Sequence, residues 1–208
     1  MSVIGKSDGP TAVTVIKRNF KLTWKQKLEK CKYKIKRTYV EHTIKAKSHS
    51  LDEVIDYIVN VHGFVKLDND KVRFERDELR ASFIMQYAPE LLGEYATLTR
   101  LKSESKEDIE EHIKQFQVRQ QRAMEVPVSE FDIDFHKFQI SYEDINDNMY
   151  IIVEKRFAYI GGGVSGDKKV MRRFHRIFKD VHRYYGVTAE DIKNKSKRYE
   201  QVIRALSY

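Results

Sequence analysis

The chain has 208 residues, 41% of them hydrophobic and 34% charged, enough to bury one good core or two small ones and too apolar to be disordered by composition. Its one cysteine, Cys31, excludes an internal disulfide and a thiolate zinc cluster, and fits a reducing cytoplasm. No apolar run reaches the length of a membrane span, and the N-terminus lacks the basic-then-apolar build of a secretion signal, so a soluble cytoplasmic protein is expected. The net charge of +8 is unevenly spread: residues 14–47 hold 12 Lys/Arg against 2 Asp/Glu, and residues 167–204 hold 12 against 5, with an acidic middle between them. Basic ends of this kind either neutralise themselves within the fold or leave helices free for a polyanion.

The chain opens with Ser2-Val3-Ile4-Gly5-Lys6-Ser7-Asp8-Gly9-Pro10-Thr11-Ala12-Val13. Physically, Asp8-Gly9-Pro10-Thr11 is a turn, because Asp accepts local backbone hydrogen bonds, Gly permits positive φ and Pro fixes the next φ. Thr11 to Ile16 is β-favouring. The same residues resemble the I-G-G-A/S-D-G-P-T segment of the β subunit of sodium-translocating carboxylate decarboxylases. The resemblance implies a role in sodium passage for the matching aspartate, Asp8, while Lys6 stands where that family has glycine. That family is a polytopic membrane protein, so its pump activity is not carried over to a chain without an apolar span. The whole chain is similar to small soluble bacterial proteins that share this opening.

From Thr23 to Ala46 the periodicity predicts a long helix, with Leu28, Cys31, Ile35, Tyr39 and His42 on an apolar stripe and Lys27, Lys30, Lys34 and Arg37 on a basic one. That places Cys31 as a buried, inert thiol. Trp24 and Tyr33 are read as standing off the stripe among the lysines, as packing or as stacking groups. Ser50-x-x-Glu53 is a capping box for a helix running through His62 with Val54, Ile55, Ile58 and Val61 inward, and Gly63 stops it. Phe64–Leu67 and Val72–Phe74 flank Asp68-Asn69-Asp70 as a short hairpin. Helices are expected from Arg76 to Tyr87 and from Glu90 to Leu98, broken at Ala88 by Pro89. A further helix, Lys106 to Met124, is set by Ile109, Ile113 and Phe116, with Glu110 and Lys114 as a pair.

After Pro127, Phe131, Ile133 and Phe135 alternate with Asp132, Asp134 and His136 as a strand, whose polar face is either solvated or a weak metal or acid/base set. The apolar parity then moves to Phe138, Ile140 and Tyr142, which predicts a bulge near His136 and Lys137. Asn146-Asp147-Asn148 turns the chain, and Met149 to Ile160 returns. Gly161, Gly162, Gly163, Ser165 and Gly166 read as a glycine loop, either a sharp connection or a weak phosphate cradle in front of a helix N-terminus. The loop departs from a Walker motif, since Asp167 stands where lysine is required.

Asp167 to Tyr185 is the clearest helix. Val170, Phe174, Ile177, Phe178, Val181, Tyr184 and Tyr185 fall on one arc, and Lys169, Arg172, Arg173, Arg176, Lys179 and Arg183 on the other. Gly186 stops it, Thr188 and Asp191 cap a last helix reaching Leu206, and Ile192, Tyr199, Val202, Ile203 and Leu206 point inward.

The expectation is therefore one α+β domain, with several amphipathic helices on a small antiparallel sheet. Residues 1–20 hold the turn and strand, 23–125 are mainly helical, and 128–208 hold a hairpin and two helices. Neither an H-E-x-x-H pair nor a G-x-S-x-G elbow is present, which argues against a zinc enzyme or a serine hydrolase, and no cofactor is expected. The leading function is non-catalytic binding of nucleic acid or an acidic protein by Lys27, Lys30, Lys34, Arg37, Arg172, Arg173, Arg176 and Arg183. The alternative is a small nucleotide- or phosphate-binding enzyme using the 161–167 loop.

Overall fold

The computed structural model describes residues 23–98, 105–141 and 148–208; the turn and strand expected before residue 23, and most of the turn at 146–148, lie outside them. The architecture is α+β, as the sequence indicates, and its contacts resolve two compact units. The larger, Lys21–Leu67 with Phe135–Tyr208, holds α1 (Trp24–Thr43), β1 (Lys47–Ser48), α2 (Leu51–Asn60) and β2 (Val65–Lys66). The smaller includes Asp68–Asp134, with α3 (Arg73–Tyr87) and α4 (Lys106–Glu125). The chain then returns to the larger unit for β3 (Phe135–Ser141), β4 (Asn148–Glu154), β5 (Tyr159–Ser165), α5 (Lys168–Tyr185), β6 (Gly186–Val187), α6 (Ala189–Asn194) and α7 (Lys197–Ser207).

In the larger unit the sheet runs β2-β3-β4-β5, antiparallel throughout. The register sets Phe138 opposite Ile151 and Ile151 opposite Gly162. Phe138, Met149, Ile151, Val153 and Ile160 form one buried cluster with Val54 and Ile58 of α2, the inner face of α5, and Tyr199, Val202 and Ile203 of α7. A second, two-residue ladder pairs Lys47 with Val187 and Ser48 with Gly186. At Gly186, φ is +59° and a Cβ would run into the Lys47 carbonyl oxygen, so the position needs glycine on both counts. Arg198 clamps this corner: its guanidinium donates to the carbonyls of Gly186, Tyr185 and His49 and lies 3.8 Å over the Tyr185 ring.

Several local expectations are revised. The Phe64–Phe74 hairpin is not formed: Val65 and Lys66 pair with Gln139 and Phe138, Asn69–Val72 is a 3-10 turn, and α3 starts at Arg73. The Asp68 carboxylate accepts from the Asp70 amide and so starts a helical turn where a hairpin would need extended backbone. The bulge near His136 is also absent, because β3 pairs one-to-one with β4 from Phe135↔Glu154 to Ser141↔Asn148. The strand begins at Phe135, so Phe131 and Ile133 belong to the preceding stretch of the smaller unit, and Lys137 tucks in with its ammonium 4.6 Å from the Tyr150 ring centre.

The expected return strand Met149–Ile160 is two strands, β4 and β5. The Glu154 carboxylate accepts from the amides of Arg156 and Phe157 and turns the chain between them. Likewise the last helix is two: Lys195 takes a left-handed conformation, and Ser196 both donates to Asp191 and caps α7 through the Tyr199 amide. The capping boxes at Ser50–Glu53 and Thr188–Asp191 form with both reciprocal bonds.

In the smaller unit the break at Ala88 falls where Pro89 requires it, and a 3-10 segment, Pro89–Tyr95, follows. α4 turns His112 and Ala123 inward, while Ile113 is exposed, and Glu110 lies 3.6 Å from Lys106. Arg80 is buried, and its guanidinium donates to the carbonyls of Met124, Val126 and Phe131. A cation at the C-terminal end of α4 satisfies carbonyls that the helix itself leaves open and faces the negative end of its dipole.

Candidate anion-binding surface

α5 is held with a fixed orientation. The Asp167 carboxylate accepts from the amides of Lys169 and Val170 and starts the helix, and Val170, Phe174, Ile177, Phe178, Val181 and Tyr185 are buried. That arc commits the opposite one to solvent. Lys168, Lys169, Arg172, Arg173, Arg176 and Arg183 are exposed and Lys179 is half-buried. Asp180, at the edge of this face, lies 3.6 Å from Arg183, accepts from the Tyr57 hydroxyl at 2.6 Å and stands 3.3 Å from His62. The hydrogen bond to Asp180 pushes the Tyr57 hydroxyl up to about 12. Tyr57 in turn stacks on Tyr184, and Tyr184 on His49. Asp180 is thus engaged by α2 and does not neutralise the middle of the face.

α1 reaches the same surface with a different residue from those singled out in the sequence. Tyr33 packs on Tyr208, Arg37 donates from Nε to Glu41 and from Nη2 to both carboxylate oxygens of Glu200, and Val40 and Ile44 pack on the core. The Glu200 hydrogen bond, above all, raises the Arg37 guanidinium and ties it to α7. Arg37 is therefore a structural clamp. Lys36, next to it, donates to the Tyr208 carbonyl at 3.4 Å. Burial, then repulsion from Lys36 and Arg183, lowers the Lys179 ammonium below the ordinary lysine value. The cations of α1 and α5 meet at Lys36, Lys179 and Arg183. The signal for Lys36 was its place between Tyr33 and Arg37, legible only once that face of α1 is known to pack.

Lys27, Lys30 and Lys34 are exposed and, among the described residues, have no ion-pair partner. At about 100° per residue they lie on the side of α1 away from Lys36, so they do not extend the α5 face. Arg172 and Arg176 are exposed on α5, again with no ion-pair partner among the described residues.

The glycine segment is not a loop. Gly161, Gly162 and Gly163 lie in β5, opposite Ile152, Ile151 and Tyr150. The Tyr159 ring covers Gly161 and the Tyr150 ring covers Gly163, while a Cβ at Gly162 would meet the Tyr150 carbonyl oxygen at 2.6 Å and Phe174 at 3.1 Å. The three glycines make room for aromatic rings and for α5, as covered glycines in sheets do. Ser165 closes the strand, Gly166 follows, and the Lys169 and Val170 amides in the first turn of α5 are already occupied by Asp167. Gly161, Gly162 and Gly163 therefore offer no loop to cradle a phosphate.

Asp132 accepts from Arg76 at 2.7 Å and from the Ile133 amide, bonds that outweigh burial and hold its carboxyl below the usual range. Asp134 belongs with it to the smaller unit and His136 to the larger. Among the described residues no group of three His, Cys, Asp or Glu is placed to hold a metal ion. His182 is buried with its Nδ1 2.9 Å from the Phe178 carbonyl oxygen, whereas His175 is exposed. In the smaller unit, Arg119 lines an open groove with Glu94, Glu111 and Lys114, and donates to the carbonyls of Met85 and Ala96.

Among the described residues no helix is long and apolar enough to cross a membrane. No protein-family model, no curated protein and no solved structure matches the chain.

Proposed function

We propose that the chain is a non-catalytic binding module for a polyanion, nucleic acid first and an acidic protein surface second, acting through the outward face of α5 and the adjoining Lys36. The observation that carries the reading is the exposure of Lys168, Lys169, Arg172 and Arg176 along one side of a helix whose other side is locked into the core. Phosphates spaced along a duplex or a single strand suit such a row of cations, and contacts of this kind confer affinity with little preference for base sequence. Arg37, Arg80 and Arg198, equally cationic by sequence, are bonded to Glu200 or to backbone carbonyls and do not take part.

The test is an anisotropy titration of the full chain with labelled DNA and RNA of two unrelated sequences at low salt. The reading expects comparable binding to both sequences and loss of about tenfold or more on Arg172→Glu with Arg176→Glu. Retention of an acidic protein from a nuclease-treated lysate, with no binding to either nucleic acid, would replace the first partner with the second. No binding to either would remove the proposal.

A further inference from the structure

The side of α1 turned away from its attachment carries an apolar row of its own. Trp24, Leu28, Cys31, Ile35 and Tyr39 follow one another at intervals of four and three residues, the spacing of a helix–helix seam. Trp24 is 78%, Ile35 66% and Tyr39 69% exposed, and Cys31 is exposed where the sequence suggested a buried thiol. Trp24 belongs to this row and not among the lysines, since it precedes Cys31 by two turns. The attachment of α1 runs through Tyr33, Arg37, Val40 and Ile44 on the other side. By helical angle the row is confined to about 80° and is edged by lysines on both flanks. Lys25 and Lys32 lie along one edge, Lys27 and Lys34 along the other, all exposed.

We propose that this row is a docking seam for an amphipathic helix of another protein whose own apolar stripe is bordered by aspartate and glutamate. Charge complementarity sets the sign of the partner. Between Trp24 and Thr43 lysine and arginine far outnumber the two glutamates, Glu29 and Glu41, so a second copy of α1 would set lysine edges against lysine edges. Nucleic acid would use the lysines but leave Leu28 and Ile35, which offer no π face for stacking, in water. A bilayer interface asks for a broader apolar face than this single seam. An acidic helix uses the knobs and both rims together. The seam is distinct from the α5 face and does not rest on it.

Trp24 is the only tryptophan of the chain and sits in the seam, so its fluorescence reports directly. The probe is a synthetic peptide of about three heptads with leucine at a and d and glutamate at e and g, titrated into the full chain. The expected result is a saturable blue shift of Trp24 emission. Ile35→Glu should weaken binding by about tenfold or more, and Lys27→Glu with Lys34→Glu should weaken it while admitting a lysine-flanked peptide. Arg172→Glu with Arg176→Glu should leave it unchanged. All of these positions are exposed, so the variants keep the fold. The proposal is overturned by any of four results: no shift at the highest peptide concentration; an equal shift with the lysine-flanked peptide in the wild-type chain; a shift with protein concentration alone; or a shift with duplex DNA or phosphatidylserine vesicles but not with the acidic peptide.

Discussion

Gly162 shows how a single side-chain absence organises the larger unit. Its missing Cβ leaves the space that the Tyr150 carbonyl and the Phe174 ring of α5 close on. Gly162→Ala should cost about 1–3 kcal/mol, because the nearest obstruction is backbone that cannot rotate away. A urea unfolding curve checks it, and wild-type stability would contradict the packing described. His182 makes a second prediction. Burial lowers its pKa from 6.5 to about 4, against the opposing pull of the Phe178 carbonyl, so it is neutral in the fold. The unfolded chain therefore binds the proton first, and stability rises with pH between about 4 and 6.5. Lowering the pH through that window should remove up to about 3 kcal/mol. His182→Gln should flatten the dependence measured by urea midpoints at pH 4.5 and 7.5, and an unaltered slope would assign it to other groups.

At the scale of elements, Arg80 joins the end of α4 to the stretch that follows it by donating to Met124, Val126 and Phe131. Arg80→Met should cost about 3 kcal/mol, since several buried carbonyls lose their donor. Hydrogen exchange would show protection falling in α3 and α4, with α5 and β4 unchanged; uniform loss over the whole chain would contradict a local role. The elements also divide by how readable they were. α5 was legible because its apolar arc is broad and its polar arc uniformly basic, and the boxes at Ser50 and Thr188 announced their helices through local bonds alone. α1 was misread because both of its sides carry apolar residues: Tyr33, Val40 and Ile44 pack, whereas Ile35 and Tyr39 do not. Periodicity finds stripes but does not choose which one is covered. The glycine strand was hidden for a related reason. Gly163 is explained by Tyr150 on the neighbouring strand and Gly162 by Phe174 on the following helix, and neither contact is local in sequence.

At the scale of the whole molecule, the uneven charge of the chain is only partly spent within it. Arg37, Arg76 and Lys155 pair with Glu200, Asp132 and Asp52, and Arg80 and Arg198 hold backbone carbonyls. Among the described residues, part of what is left over lies along α5, where Lys36 and Arg183 crowd Lys179, and part along α1, where Lys27, Lys30 and Lys34 stand exposed. Like charges held together by a rigid helix cost stability and are relieved by a bound polyanion, the thermodynamic sense of the function proposed. The most direct measurement is the affinity of the full chain for a labelled DNA duplex across a series of salt concentrations, compared with Arg172→Glu/Arg176→Glu. The account predicts a steep linear fall of log K with log salt, and a slope shallower by about two in the variant. Binding that ignores salt, or a variant whose slope matches the wild type, would contradict it.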